Sequence, residues 1–151
     1  MKEEEIIAEL HPDLQKVIAE ANKMCEIPFT VVEGKRSKIR QELLWYKGED
    51  FTDQKIRSLG CAVTICATLE DIPCFSTDIY MEVADSFRFA GSNNNIKVSW
   101  GGAADTNGLI DISADTDRLM ADIYEDCYNI MLKAGEEINP RLQHFELYYE
   151  K

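Results

Sequence analysis

The chain reads as an α+β domain in which helices cover one side of a small, mainly antiparallel sheet. Three observations predict this. Four stretches carry apolar residues at spacings of three and four, and four shorter ones are rich in β-branched and aromatic residues. No low-complexity linker or internal repeat divides them, so residues 1–151 are read as one domain.

In order, residues 3–25 predict a helix, with Ile6, Ile7, Leu10, Leu14, Val17, Ile18, Ala21 and Met24 on one stripe. Pro12 divides it into a leader and a main helix, because proline suits a first turn. His11 then sits at a helix start on the solvent side. Residues 27–32 predict a strand ended by Gly34, and 37–47 a second helix with Ser37 as N-cap. Residues 48–59 are polar and predict a loop. Residues 60–69 predict a buried strand, and 71–75, around Pro73, a turn. A third helix is predicted over 76–90, stopped by Gly91 and the asparagines that follow. Residues 96–100 predict a strand turned by Gly101-Gly102, and 105–111 are irregular around the Asn107-Gly108 turn signal. Residues 115–134 predict the longest helix, with Gly135 as its stop, and 141–149 the closing strand.

The formal net charge is −12, from 28 acidic against 16 basic residues. That balance disfavours nucleic acid and anionic membranes as partners. Five cysteines, at 25, 61, 66, 74 and 127, form no CxxC pair and predict reduced thiols. The acidic start Met1-Lys2-Glu3-Glu4-Glu5 opens no secretory leader, and no stretch has membrane-spanning length. A cytoplasmic protein is expected.

Four segments then carry a resemblance. They are Leu10-His11-Pro12-Asp13-Leu14, the run Phe29 to Arg36 followed by Arg40-Gln41, the run Ile96 to Gly102 ending in Trp-Gly-Gly, and His144-Phe145-Glu146-Leu147. In this order they resemble the M15 family of zinc peptidases, the D-alanyl-D-alanine carboxypeptidases and L-alanyl-D-glutamate endopeptidases, and most of all its phage endolysin-like branch. The likeness spans about 10–147 and is interrupted by an extra helical segment near 105–139. It implies the M15/Hedgehog-like peptidase fold. It also implies a cleft lined by Arg36 and Gln41, with a zinc ligand at His144.

The zinc chemistry of the resembled family is not spelled out here. Where its first metal motif has Ser-x-His-x-x-Gly-x-Ala-x-Asp, this chain has Lys55 to Thr64, with Arg57 at the His and Thr64 at the Asp. The catalytic carboxylate three residues before the last His is replaced by Arg141. Zinc needs lone-pair ligands, and a guanidinium has none. Of the family ligands only His144 remains. A thiol rescue would fall to Cys66, which on a regular strand shares a face with Thr64.

The expectation is therefore a cleft without cofactor or catalytic residues. In it Arg36, Arg57 and Arg141 converge with Gln41, Thr64 and His144 on a small anionic ligand, a nucleotide or a carboxylated peptide. Trp100 and Tyr46 are expected to offer stacking surfaces. Two rival expectations are a zinc-dependent cell-wall peptidase with non-standard ligands, and an acidic interaction module that inhibits a host protein. The wide apolar stripe of 115–134 predicts a homo-oligomer contact, or a lid over the cleft.

Overall fold

The computed structural model describes residues 2–36, 43 and 54–149. The chain runs α1 (Glu3–Ala8), α2 (Pro12–Met24), β1 (Phe29–Glu33), α3 (Gln54–Ser58), β2 (Ala62–Leu69), β3 (Ile72–Cys74) and α4 (Thr77–Asn93). It continues through β4 (Val98–Trp100), β5 (Ala104–Asp105), β6 (Gly108–Leu109), α5 (Met120–Lys133) and β7 (His144–Leu147). The main sheet has the order β1-β2-β7-β4, with β3 paired to the far end of β2, and all pairings are antiparallel. The expected α+β architecture is present.

One face of the sheet is dry. Val63, Ile65 and Ala67 of β2 and Phe145 and Leu147 of β7 are buried, and their neighbours Thr64, Cys66 and Glu146 are only half-buried. That alternation is the period of two expected of a sheet with one face on a core. Helices α2 and α4 seal the dry face. Leu14, Val17, Ile18 and Ala21 come from α2, and Tyr80, Val83, Ala84 and Phe87 from α4. The Phe87 ring stacks on Phe145 with centroids 4.0 Å apart. Helix α2 starts where Pro12 suits its first turn, and the His11 Nδ1 caps it by accepting from the Asp13 N–H at 3.1 Å.

Several boundaries differ from expectation for identifiable reasons. Residues 54–58 of the predicted loop form α3. Residues 72–74 form an edge strand, where Pro73 is tolerated because its missing N–H leaves no ladder bond unmade in the core of the sheet. Helix α4 runs through Gly91 to Asn93. Gly91 is there for close approach: a Cβ at this position would lie 2.6 Å from the Ile96 carbonyl. The last helix starts at Met120, not 115. Before it, Asp111 and Asp115 accept from the backbone N–H groups two residues on, which competes with helix formation. Residues 104–109, expected to be irregular from 105 on, form a small hairpin whose loop is Thr106-Asn107, with Gly108 already paired to Asp105. The helix predicted at 37–47, with Ser37 and Tyr46, lies outside the described residues apart from Leu43, which is helical.

Candidate functional site

The half-buried face of the sheet opens into a cavity of about 370 Å³. Register builds its floor. Thr64 of β2 lies directly opposite His144 of β7, so the two side chains rise from the same face. Arg57, at the end of α3, reaches across both. One guanidinium nitrogen stands 3.1 Å from the Thr64 Oγ1 and 3.1 Å from the His144 Nδ1. The side chain is buried, with 2% of the residue exposed.

These contacts fix the histidine tautomer. A guanidinium has donors only, so the His144 Nδ1 must accept and its lone pair is engaged. The ring proton then sits on Nε2, which faces the Glu146 Oε1 at 3.4 Å. That is long for a hydrogen bond but close enough for the carboxylate to favour the proton there. Burial pulls the His144 pKa down to about 4, Arg141 and Arg57 push the same way, and Glu146 opposes them. The ring is neutral at pH 7.

Arg36 and Arg141 complete the cationic side of the cavity. Arg36 is clamped by Glu33 through two contacts, Nε to Oε1 at 2.5 Å and Nη2 to Oε2 at 2.7 Å. Burial, with Arg36 and Arg141 acting the same way and Glu33 and Glu146 opposing, lowers the Arg57 pKa to about 9. Arg141 is lowered mainly by burial, with Glu146 opposing and Arg36 adding to it. Among the described residues, three guanidinium groups thus share this region with two carboxylates, inside a chain of net charge −12.

The Trp100-Gly101-Gly102 segment holds this wall in place from behind. The Trp100 indole N–H donates to the Leu142 carbonyl at 2.7 Å. Gly101 exchanges backbone hydrogen bonds with the closing segment, donating to His144 at 2.8 Å and accepting from Arg141 at 3.1 Å. A Cβ on Gly101 would fall 2.1 Å from the Arg141 carbonyl oxygen, so only glycine lets the two backbones meet. Trp100 itself is fully buried and packs near Tyr124 on the dry face. It pairs with Phe145, not His144, so alternation turns it away from the cavity. The expected stacking role of Trp100 does not hold; it positions Arg141 to His144.

Of the other expected site residues, Arg36, Arg57, Thr64, Arg141 and His144 line the cavity together. Gln41 lies outside the described residues. Cys66 shares the Thr64 face but does not line the cavity, and its thiol faces the Ala67 carbonyl at 3.7 Å. No residue of 105–139 lines the cavity, so the lid expected of that segment is not where the structure puts it. Sequence reasoning did not single out Glu33, Glu146, Phe75 or Tyr80. Two carried a signal: Glu33 stands three residues before Arg36, and Glu146 two after His144 on the same strand face.

Among the described residues, no group of three or more His, Cys, Asp or Glu side chains is placed to hold a metal ion. None of the described helices is long and apolar enough to cross a membrane.

Comparison with known proteins bears on this geometry. Residues 2–125 match the family model described as phage L-alanyl-D-glutamate peptidase. Among solved structures, the L-Ala D-Glu endopeptidase ChiX of Serratia marcescens is similar, with a TM-score of 0.70 and 26% identity. That match covers 97% of this chain and 86% of the other. No curated protein matches.

Proposed function

Since the chain belongs to the phage L-alanyl-D-glutamate peptidase family, we propose that it keeps the peptidase cleft without the hydrolytic chemistry and uses it to bind and sequester a small anion. In this reading it is a phage product that works in the cytoplasm of the host. The observation that carries it is Arg57, whose guanidinium lies 3.1 Å from both the His144 Nδ1 and the Thr64 Oγ1.

The donor set does not fit zinc. The positions that resemble the family's ligands hold Arg57, Thr64 and His144, and the imidazole lone pair already accepts from Arg57. A zinc ion there would meet a fixed cation and one neutral hydroxyl in place of the usual three protein ligands. Arg141 stands where the resemblance places a catalytic carboxylate, and a guanidinium is not a general base. The same substitutions leave a buried, positively biased floor suited to forked hydrogen bonding of phosphate or carboxylate. Charged hydrogen bonds of this kind contribute about 1.5–3 kcal/mol each.

Elemental analysis of protein purified without chelator, beside hydrolysis of an L-alanyl-D-glutamate peptide, tests the loss of chemistry. The expected result is no stoichiometric zinc and no cleavage. One zinc per chain with cleavage overturns the reading in favour of a zinc peptidase with non-standard ligands.

A second reading rests on α5. Its C-terminal half leaves Tyr128, Ile130 and Leu132 exposed, and Leu119 is exposed at its start. This supports a protein contact through that helix, either a second copy or a host protein. Light scattering across a concentration series checks the first: a dimer is expected, and a monomer at every concentration removes it.

A further inference from the structure

The cavity is not uniformly polar, and its apolar lining says what the anion is attached to. Beside the guanidinium groups, Phe75, Pro140 and Leu142 also line the cavity. Phe75 lies in the short connection after β3, and 67% of its surface is exposed although it lines the cavity. An exposed phenylalanine elsewhere on a surface needs no explanation. Here it flanks the mouth of a charged cleft, where a bare phosphate would leave it in water. A volume of about 370 Å³ is at the small end for small-ligand sites and exceeds what a lone inorganic ion needs.

We infer that the ligand is a nucleoside monophosphate-like molecule, with its phosphate on Arg57 and Arg141 and its flat base against Phe75. This rests on the anion-binding reading of the same cleft. A nucleotide joins a doubly acceptor-rich anion to a ring with a π-face, which matches a lining that holds both guanidinium groups and an exposed aromatic ring. Stacking on an aromatic side chain tolerates any base, so one exposed ring selects for a base without specifying which. The chain's net charge of −12 keeps polynucleotides away, leaving small nucleotides that enter one at a time. An acidic peptide would satisfy the guanidinium groups but would not require a flat ring at Phe75.

The test is isothermal titration at constant ionic strength with four nucleoside 5′-monophosphates, ribose 5-phosphate and an acidic dipeptide. The wild type and Phe75→Ala are compared. At least one monophosphate should bind about tenfold more tightly than ribose 5-phosphate, the size of one stacked base. Phe75→Ala should erase that difference and leave ribose 5-phosphate unchanged. Phe75 is mostly exposed, so this variant is expected to fold. If monophosphates and ribose 5-phosphate bind alike, or if Phe75→Ala leaves the difference intact, the nucleotide inference is wrong while anion binding stands. Preference for the dipeptide also overturns it. If no anion binds the wild type, the anion-binding reading itself falls.

Discussion

Two arginines in this molecule are almost equally hidden, and they are hidden for different reasons. Arg88 of α4 is 3% exposed and Arg57 is 2% exposed. Arg88 contacts the Asp85 carboxylate and donates to the backbone carbonyls of Asp115, at 3.1 Å, and Arg118. It ties the turns before α5 to the core helix, and its charge is met by a carboxylate three residues away. Arg57 instead donates to a hydroxyl and a neutral imidazole, and its charge is disfavoured by burial, by Arg36 and by Arg141 against the pull of Glu33 and Glu146. A buried cation that serves the fold meets its countercharge within the fold. Arg57 belongs to a cluster of three guanidinium groups and two carboxylates beside a cavity, where the proposed anion would meet it.

That contrast gives the largest expected effect. Arg88→Met should destabilise the protein by about 3–5 kcal/mol, because it leaves two carbonyls and a carboxylate without their donor. Urea unfolding followed by circular dichroism measures it. A loss below about 1 kcal/mol would mean that Arg88 is no more structural than a surface residue.

The next effect concerns the neutral ring that Arg57 holds. The pKa of His144 is about 4 in the folded chain and about 6.5 in an unfolded one. Between those values the unfolded state binds more protons, so stability rises with pH across that window and falls as the pH drops from about 6.5 to about 4. The full loss is about 3 kcal/mol. Unfolding midpoints measured at intervals from pH 7 to pH 4 should show this slope, and His144→Gln should flatten it. An unchanged slope in the variant assigns the titration to other groups.

Arg57→Met should move in the opposite direction from Arg88→Met. Exchanging a cation whose charge is disfavoured mainly by burial for an apolar side chain of similar length is expected to be neutral or stabilising by about 1–3 kcal/mol. For a chain of this size that raises Tm by a few degrees in the absence of ligand. A fall in Tm as large as that of Arg88→Met would erase the distinction between the two residues.

How much of this was legible in the sequence depends on the interaction involved. Convergence of Thr64 and His144 was legible through the resemblance, which puts both at ligand positions of one site, and the antiparallel register then sets them directly opposite. The replacement of a metal ligand by Arg57 and of a catalytic carboxylate by Arg141 was legible only through the resemblance to the M15 peptidases, whose motifs those positions match. The direction of Trp100 was not. It depends on whether β4 sets Trp100 opposite Phe145 or opposite His144, and a one-residue slip reverses the face. Phe75 was invisible because it lies in a connection with no period to read. Strand β3 was hidden by Pro73, which reads as a turn unless the strand is known to lie at an edge. The late start of α5 reflects aspartates that bond to their own backbone, a local competition that the apolar stripe does not report.

Anion affinity in the cleft is the most direct test of what Arg57 is for. A thermal-shift screen at constant ionic strength would compare phosphate, pyrophosphate, citrate and nucleotides on the wild type, Arg57→Gln and Arg141→Gln. At least one anion should raise the wild-type Tm, and each variant should need about ten- to a hundredfold more of it for the same shift. If no anion stabilises the wild type, or if both variants respond as it does, the cleft is the remnant of a peptidase site and binds nothing through its arginines.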